Sequence, residues 1–546
     1  MLDRYGYATH EVLNQPPALS DYDAYATDPT LRAVVRAFGG GWAEARLGRA
    51  GATVGSAHVQ LLARQANRFP PELRTHDRFG NRVDEIDFHP AWHELMALCI
   101  GQETHSLAWT EARPGAQVAR GALAYLWNQG ESGIMCPILM TYASVPILRG
   151  DPLMAREWET KALSTRYDPR PIPGAGKTGI TVGMAMTEKQ GGSDLRQTQS
   201  YAEREGSLWR LVGHKWFFSV PHSDVFIALA RTAVGISCFL VPGWLPDGSR
   251  NRIVVQRLKE KAGNRSNASS EVELRGAYAS LIGEEGHGIR HAVGMGHLTR
   301  LECAISSAAL MRQAVAQAAH HTQYRRAFQK ALIDQPIMAN VVADLHLETA
   351  AAAWLVFRIA AAFDAPAESG ERLLARIGAP IAKYWICKRV VPVVAEALEC
   401  HGGNGFIEDH LMARLYREAP LNGIWEGAAN IMCLDVLRSM QREPDCVPAL
   451  LDEIGQGRGY DGRLDAAIDR IASDLADPAR HEGQARRLVE RIALTLSASL
   501  LVRHASGVLA DAFVASRLDA DWSGAMGTLG GGIDCATLAR MAVPAA

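Results

Sequence analysis

The sequence predicts an α+β fold of four units: a helical N-terminal domain, a β-barrel-like middle domain, a helical bundle and an extra C-terminal helical domain. Three observations predict this order. Apolar residues recur with a helical period up to about residue 183. Short β-branched and aromatic runs, separated by turns, fill residues 184–284, and the helical period then returns. The 546 residues also exceed what one compact core usually supports.

The N-terminal helical domain is predicted for residues 1–183. Trp92, Leu95 and Cys99 show the spacing of one helix face. Short breaks that contain proline, such as Arg170–Pro173, separate the helices.

The middle β domain is predicted for residues 184–284. Pro246-Asp247-Gly248 is typical of a turn, because proline presets the first φ and glycine accepts a positive one. The predicted strands are Trp209–Leu211, Lys215–Val220, Val225–Ala230, Ile236–Val241 and Ile253–Val255.

Two helical units follow, a bundle over residues 285–440 and a C-terminal unit over residues 441–546, with Pro444 near the boundary. The C-terminal unit has eleven arginines and no lysine against fifteen acidic residues, a net charge of −4. The predicted helices cover residues 341–363, 377–398, 463–475, 483–515 and 534–541.

Composition excludes several classes of function. A net charge of −2 and a pI near 6.8 predict neither a nucleic-acid nor a membrane partner from global electrostatics, so either would need a local patch. The nine cysteines stand singly, and the histidines lack metal-ligand spacing, so we expect no disulfide framework and no metal site. With no leader and no long apolar run in the sequence, we expect a cytoplasmic protein without a membrane anchor.

The first informative motif runs from Met186 to Asp194, at the junction of the helical and β domains. Gly191 and Gly192 allow a ligand to approach the backbone, and Thr187 and Ser193 carry hydroxyl groups that bond carbonyl or phosphate oxygens. A polar interdomain turn is the alternative interpretation.

The second motif is Gly213–Ser219. A period of two places Lys215, Phe217 and Ser219 on one face of a strand. A ring and a hydroxyl on that face can stack on and hydrogen-bond to a planar ring system, although an ordinary half-buried strand has the same pattern.

The third motif is Glu399–Phe406, followed by Ile424–Ile431. Glu426 stands between a tryptophan and a glycine just before an apolar helix. In a dry pocket its pKa would be raised, and it could act as a general base. The alternative is an acidic residue that initiates the helix.

One segment imitates a phosphate-binding loop. Pro171–Thr178 ends in Gly-Lys-Thr, but Pro171 stands where the first glycine of such a loop belongs, and no buried strand precedes it. We therefore do not expect nucleotide hydrolysis.

Taken in this order, the three motifs resemble those of the acyl-CoA dehydrogenase family, and Arg325–Phe328 is similar to the family's Arg-x-x-Phe. The resemblance implies a homotetrameric FAD enzyme that oxidises a CH–CH bond of acyl-CoA, with Glu426 as catalytic base. Arg325 and Phe328 would then reach FAD in a neighbouring subunit. The implied cofactor-binding residues are Met186, Thr187, Gly191, Gly192, Ser193, Phe217, Phe218, Ser219, Arg325, Phe328, Glu399, Gly402, Gly403, Trp425, Gly427 and Asn430.

Further segments resemble a bacterial branch of this family that responds to DNA alkylation: Asn14–Pro16, His89–His93, Gly263–Ala268 and Ile431–Arg438. The C-terminal helical unit is also as in that branch. This likeness implies double-stranded DNA as a partner. The implied DNA-binding residues are Arg438, Arg486, Arg487, Arg491, Arg503 and Arg517.

Some positions depart from the family pattern. Trp425 replaces the usual tyrosine, Ala428 and Asn430 replace threonine and glutamine, and Phe217 replaces the flavin-stacking tryptophan. These departures predict weak acyl-CoA turnover, and the resemblance implies that this activity is of the isovaleryl-CoA type. The leading hypothesis is a flavoprotein that protects DNA from alkylation; the alternatives are a metabolic short- or branched-chain dehydrogenase without a DNA role, or a DNA shield whose flavin does no chemistry.

Overall fold

A computed structural model describes residues 9–365, 370–476, 482–519 and 524–544. It confirms the predicted order of helices, sheet and helices. The helices before the sheet are α1 (Pro29–Ala37), α2 (Glu44–Val54), α3 (Ala57–Arg68), α4 (Pro90–Gly101), α5 (Leu107–Thr110), α6 (Ala116–Gly130), α7 (Met135–Arg149), α8 (Pro152–Met154) and α9 (Thr160–Ala162).

The N-terminal unit also contains a β-hairpin that the sequence pattern did not indicate. Strands β1 (Glu72–His76) and β2 (Arg82–Asp87) pair in antiparallel fashion. The side chain of Asp77 accepts the backbone N–H of Asn81 and so closes the turn between them. Most residues of the hairpin are polar and exposed or half-buried, so it lacks the apolar alternation by which strands are recognised.

The middle domain is a barrel-like sheet of seven strands in the order β3-β6-β4-β5-β9-β7, with β8 on β9. The sheet closes because β7 also pairs with β6. Two predicted runs, Trp209–Leu211 and Lys215–Val220, belong mostly to one strand, β5. The strands are β3 (Val182–Ala185), β4 (Tyr201–Glu205), β5 (Leu208–Phe218), β6 (Val225–Arg231), β7 (Ile236–Pro242), β8 (Ile253–Leu258) and β9 (Ser270–Ile282).

A bundle of long helices follows the barrel, with a two-strand turn formed by β10 (Arg326–Ala327) and β11 (Lys330–Ala331). The helices of the bundle are α10 (Gly288–Tyr324), α11 (Pro336–Ala362), α12 (Gly370–Glu399), α13 (Gly403–Phe406), α14 (Leu411–Glu418) and α15 (Ala429–Arg442). The last helices are α16 (Cys446–Gly455), α17 (Gly462–Leu475), α18 (Ala485–His504), α19 (Gly507–Arg517) and α20 (Cys535–Ala542).

One apolar core runs through the N-terminal helices, the bundle and the C-terminal helices, and it includes Trp92, Leu345 and Leu488. Helix α11 is long and apolar enough to cross a membrane by composition, but 89% of its apolar window is buried inside the fold. This helix is therefore a core helix against which α18 and α20 pack.

Candidate active site

The predicted cofactor loop follows β3 and is anchored by a buried ion pair. Glu188 is 1% exposed, and its carboxylate lies 2.8 Å from the ammonium of Lys215 on β5. The carboxylate also accepts the backbone N–H groups of Gln199 and Ser200. Burial by itself raises the pKa of Glu188, but the charge of Lys215 and these hydrogen bonds together lower it to about 2. The loop therefore rests on a carboxylate that stays ionised.

Two glycines shape the outer part of this loop. Gly191 has a φ of +145°, and apart from its chain neighbours no atom of the described residues lies within 4 Å of where a Cβ would be, so a ligand can approach its backbone. Gly192 packs on Thr187, because a Cβ there would lie 2.3 Å from the threonine hydroxyl. Met186 is half-buried beneath the loop, whereas Ser193 is exposed. The loop thus presents backbone and hydroxyl groups outward.

Strand β5 contains a β-bulge that changes the predicted geometry of the second motif. Between Lys215 and Phe218, β5 has one residue more than its partner β9. The prediction that Lys215, Phe217 and Ser219 share one face is therefore wrong for Lys215, which is buried while Phe217 is 51% exposed.

The bulge also turns Phe218 into the barrel. This ring is 2% exposed and lies 4.5 Å from the ring of Phe226, centroid to centroid. The expectation that Phe218 contacts the cofactor is wrong for its side chain. Phe217 is the outward ring instead, and the ammonium of Lys259 lies 4.5 Å from its centroid.

The buried thiol of Cys136 on α7 lies between residues of the barrel and residues of the bundle. Cys136 lies within hydrogen-bonding reach of Ser219, at the end of β5, and near enough to Glu426 to be affected by its charge. Burial raises the pKa of this thiol to about 12, so it is neutral. The small apolar cluster here consists of Cys136, Met140, Met184, Val220 and Trp425. The predicted residues Ser219, Trp425 and Glu426 therefore meet at one place.

Glu426 lies in a turn with left-handed backbone just before α15. Its φ is +57° and that of Gly427 is +99°. Such a conformation costs a non-glycine residue on the order of 1–3 kcal/mol, so surrounding contacts must hold it. The Glu426 carboxylate accepts a 2.6 Å hydrogen bond from the hydroxyl of Thr299 on α10, and the ammonium of Lys383 on α12 donates a 2.6 Å bond to the Gly427 carbonyl.

The position of Glu426 decides between the two interpretations of its motif. The residue that caps α15 is Ala428, which makes no side-chain cap, and the carboxylate of Glu426 bonds to Thr299 on another helix. Glu426 is half-buried. It is therefore positioned by the bundle and does not initiate the helix. Asn430, predicted to bind the cofactor, is exposed in the first turn of α15.

Arg300, next to Thr299, ties the same turn to α15. Its Nε lies 3.4 Å from the Glu426 carbonyl oxygen, and its Nη1 donates a 2.8 Å bond to Asp435. Arg376 on α12 bonds to the same carboxylate. Burial by itself raises the pKa of Asp435, but the two arginines hold it below its usual value.

The remaining predicted cofactor residues form a second cluster at the other end of α10. Arg325 follows the helix, and 26 residues at 1.5 Å each place it about 39 Å along the axis from Thr299. Phe328 there is 92% exposed with a φ of +49°. Glu399, Gly402 and Gly403 lie at the same end, where His401 packs 4.5 Å from His321 of α10. One chain does not bring this cluster to Glu426.

The six arginines predicted to bind DNA divide into two groups. Arg438 on α15 and both Arg486 and Arg487 on α18 are exposed. Arg491 is half-buried and lies 3.1 Å from Asp474. The charge of Arg486 acts on Cys433 of α15, so the two helices present these arginines in one region.

The other two arginines, Arg503 and Arg517, form ion pairs inside the fold, and their prediction as DNA ligands is wrong. The Arg517 side chain is 1% exposed and pairs with Asp344 and Glu348 on α11. The Arg503 side chain is 11% exposed and lies 2.6 Å from Glu453 on α16. Their carboxylate partners on other helices hold them away from any phosphate backbone.

The site contains residues that the motifs did not reveal. Thr299, Lys383 and Cys136 contact or neighbour the Glu426 turn, yet each stands in a helix without any local signature. Only their place in the folded bundle identifies them.

The donors present fit FAD. The exposed ring of Phe217 offers a face for a planar ring system, and Ser219 offers a hydroxyl beside it. The open space at Gly191 leaves room for phosphate oxygens near the backbone, and Gly402, with a φ of +60°, is equally open.

Comparisons with known proteins match these features. Three family models match in succession: the adaptive response protein AidB N-terminal domain at residues 14–169, the acyl-CoA dehydrogenase middle domain at 183–277 and the acyl-CoA dehydrogenase C-terminal domain at 286–441. AidB of Escherichia coli (strain K12) is 45% identical over 94% of this chain and 95% of its own length. Acyl-CoA dehydrogenase family member 11 of Caenorhabditis elegans is 29% identical over 85% of this chain and 80% of its own.

Solved structures give the same result. The crystal structure of Caenorhabditis elegans ACDH-11 in complex with C11-CoA has a TM-score of 0.84 at 25% identity, covering 99% of this chain and 94% of that one. An acyl-CoA dehydrogenase from Bacillus anthracis complexed with FAD has a TM-score of 0.62 at 17% identity, over 78% of this chain and 79% of that one, and shows the shared fold.

Proposed function

We propose that this chain, which belongs to the acyl-CoA dehydrogenase family, is a cytoplasmic FAD flavoprotein that binds double-stranded DNA and protects it from alkylation, with at most weak isovaleryl-CoA-type dehydrogenase activity. FAD is the family cofactor, and the family is one of oxidoreductases that act on CH–CH bonds. The likeness to AidB supports the DNA-protection part of the proposal.

The chemistry assigned to the site begins with a proton transfer. The Glu426 carboxylate takes a proton from the carbon α to an acyl thioester carbonyl, and the Thr299 hydroxyl, 2.6 Å away, fixes its direction. Bound FAD supplies the acceptor for the hydride that leaves the β-carbon. Trp425 and Met140 form an apolar wall that limits access of water to the carboxylate.

Replacing Glu426 by glutamine tests this assignment. The variant should retain FAD, because no backbone contact changes, and should lose reduction of the flavin by isovaleryl-CoA. The measurement is anaerobic bleaching of the flavin absorbance in wild type and variant. Retained bleaching in Glu426→Gln would show that another group is the base.

The DNA part of the proposal rests on one exposed basic patch where the helices α12 and α15 of the bundle pack against α18. The patch comprises Lys388 on α12, Arg438 on α15, and Arg486 and Arg487 on α18, all exposed. Among the described residues, the ion-pair partner of Arg438 is Asp435, at 3.9 Å. Exposed guanidinium groups of this kind bind phosphates and set affinity without reading base sequence.

A salt series measures this partnership directly. Fluorescence anisotropy with labelled duplex DNA gives the binding constant at each salt concentration. The logarithm of this constant should fall linearly with the logarithm of the salt concentration. The double variant Arg438→Ala/Arg487→Ala should bind more weakly, with a slope smaller by about 2, since each phosphate contact contributes about 0.9. Arg470→Ala, an exposed arginine on α17, is the matched control and should behave as wild type.

Protection from alkylation needs its own assay. Duplex DNA treated with methyl methanesulfonate should carry fewer methylated bases when wild-type protein is present than with the double patch variant. Equal methylation with both proteins would contradict protection through this patch. If Glu426→Gln protects as well as wild type, shielding and not flavin chemistry is the cause.

A metabolic dehydrogenase without a DNA role is the second candidate. It is favoured by the ordered contact between Glu426 and Thr299, which an inactive site has no need to keep. The absence of salt-sensitive DNA binding, together with full flavin bleaching by acyl-CoA, would support it.

A homotetramer belongs to the same proposal. Within one chain, Arg325 and Phe328 lie about 39 Å along α10 from Thr299, so they serve a cofactor only if another subunit supplies the other half of the site. The 92% exposure of Phe328 supports this arrangement. Light scattering of the holoprotein measures the mass, and Phe328→Asp should weaken assembly and FAD retention together.

A further inference from the structure

A cavity of about 280 Å³ lies between β2, α4, the segment 164–181 and two turns of the barrel, at 221–224 and 243–250. Glu426 and the predicted cofactor loop, Met186–Asp194, are not among the residues that line this cavity. The cavity is therefore separate from the active site, although Pro221 follows the flavin-facing end of β5 by only a few residues.

An imidazole without partners lines this cavity. Both ring nitrogens of His222 are shielded from solvent and have no hydrogen-bond partner in the described part of the chain. The ring makes edge contacts with Phe88 at 4.7 Å and Trp92 at 5.1 Å. Burial lowers the pKa of His222 to about 3, so the ring is neutral and offers one donor and one acceptor. Buried polar atoms of this kind are rarely left unpaired in native proteins.

The charges around the cavity are unevenly paired. Each carboxylate that lines it has a cation within 4 Å: Asp84 has Arg82, Glu85 and Asp87 have Arg74, Asp168 has Arg170, and Asp224 has Lys177. Arg166 and Arg250 line the cavity too, and neither has an ion-pair partner among the residues described. Arg250 is half-buried, with its guanidinium carbon 5.3 Å from the centroid of Trp244.

We propose that this cavity binds a small organic anion with a planar apolar body, of the aromatic carboxylate class. Arg166 and Arg250 hold the carboxylate, since neither forms an ion pair with a described residue and the charges of Asp84 and Glu85 act on Arg250 only from beyond 4 Å. His222 completes the hydrogen bonds, and the rings of Phe88 and Trp244 border the planar part. The volume suits a ligand below drug size, because pockets for drug-sized molecules begin at about 300 Å³.

The same wall contains the segment that imitates a phosphate loop, and its geometry argues against a nucleotide. The ammonium of Lys177 forms an ion pair with the carboxylate of Asp224 at 2.6 Å, so it is not available to a phosphate. The carbonyl oxygens of Gly174 and Ala175 accept hydrogen bonds from Lys161, so the loop directs carbonyls to a cation and does not gather N–H groups around an anion.

Fluorine NMR of the holoprotein tests the proposal with 4-fluorobenzoate as the probe. Wild type should broaden its resonance, with a Kd on the order of 1 mM. The neutral isostere 4-fluorobenzamide should bind at least tenfold more weakly. Arg250→Gln and, separately, Arg166→Gln should each weaken binding of the benzoate about tenfold, whereas Arg156→Gln, an exposed arginine outside the cavity, should not.

Three results would overturn the proposal: equal binding of the amide, undiminished binding by both arginine variants, or displacement of the benzoate by excess isovaleryl-CoA, which would place it at Glu426. Arg166 is exposed, so its variant keeps the test informative if Arg250→Gln does not fold. Flavin absorbance identifies folded holoprotein in each case.

Discussion

At the scale of single residues, the Glu426 carboxylate depends on one hydroxyl from a neighbouring helix. Replacing Thr299 by valine keeps the shape and removes the 2.6 Å hydrogen bond. A bond to a charged group is worth about 1.5–3 kcal/mol. We therefore expect flavin reduction by isovaleryl-CoA to slow by about ten- to hundredfold, with FAD content unchanged.

Thr299→Ser is the control, because it keeps the hydroxyl and should reduce the flavin at close to the wild-type rate. Stopped-flow bleaching under anaerobic conditions gives both rates. If Thr299→Val reduces the flavin as fast as wild type does while Thr299→Ser is slow, the methyl group and not the hydroxyl is what matters, and the orienting role assigned to Thr299 is wrong.

The sequence could identify Glu426 but not Thr299. The glutamate stands in a local triplet, Trp425-Glu426-Gly427, which a single sequence displays. Its partner is 127 positions away on α10 and lies in no motif, so only packing of the bundle reveals it. The predicted shared face of Lys215, Phe217 and Ser219 failed for a related reason, because one extra residue in β5 reverses the face on which every later side chain lies.

At the scale of elements, the predicted cofactor loop depends on the ion pair between Glu188 and Lys215, whose side chains are both nearly inaccessible to solvent. Glu188→Gln leaves the lysine charge buried without a carboxylate, which typically costs about 3–5 kcal/mol. We expect the variant to lose FAD and to unfold at lower urea concentration. The double variant Glu188→Gln/Lys215→Met removes both charges and should recover part of that loss.

A matched control comes from an exposed pair in the same barrel. Glu273 and Arg275 lie 2.8 Å apart on β9 with both side chains accessible, so Glu273→Gln should change stability by less than about 1 kcal/mol. Urea unfolding and FAD fluorescence measure all four proteins. A double variant no more stable than Glu188→Gln would mean that the loop needs the carboxylate itself and not charge balance.

Secondary-structure elements were predictable where a clear apolar period runs over a long segment, as in α11 and α12. They were less predictable where the segment is short and mostly polar. The hairpin of β1 and β2 has little buried surface, so its pattern resembles a polar connection. Closure of the barrel through β6 and β7 is a pairing between strands, which propensity does not contain.

At the scale of the whole molecule, the C-terminal helices share their core with the bundle, and this explains why two predicted DNA ligands are structural. Arg503 and Arg517 reach across to Glu453, Asp344 and Glu348 on other helices. Helical spacing distinguishes faces of one helix, but it does not say which face meets a carboxylate of another. Arg438, Arg486 and Arg487 are exposed instead, and Arg438 lies 3.9 Å from its acidic neighbour Asp435.

Three parts of the chain meet at a pair of buried carboxylates, Glu131 after α6 and Glu418 at the end of α14. The Glu418 carboxylate accepts the backbone N–H of Asn264 from the barrel at 2.7 Å, and Glu131 accepts the hydroxyl of Ser266 at 2.8 Å. Burial and then the charge of Glu131 raise the pKa of Glu418 to about 7, despite the opposing charge of Arg414. The junction therefore holds a proton near neutral pH.

This proton predicts how stability changes with pH. In the unfolded chain a glutamate has a pKa of about 4.3, so between about pH 4.5 and 7 the folded state keeps a proton that the unfolded state has released. The contribution of Glu418 to the free energy of unfolding is complete below that window and falls by up to about 1.4 kcal/mol per pH unit across it. Glu418→Gln mimics the protonated form and should flatten the decline, so that above pH 7 it is more stable than wild type by on the order of 2–4 kcal/mol.

Urea midpoints at pH 5, 6, 7 and 8 measure this difference. Glu408→Gln is the control, since Glu408 is exposed and its hydrogen bond to Arg417 lowers its pKa, so its loss should not stabilise the protein at any pH. If wild type and Glu418→Gln decline in parallel from pH 5 to 8, Glu418 is ionised throughout, and Arg414 rather than a proton neutralises the junction between the three domains.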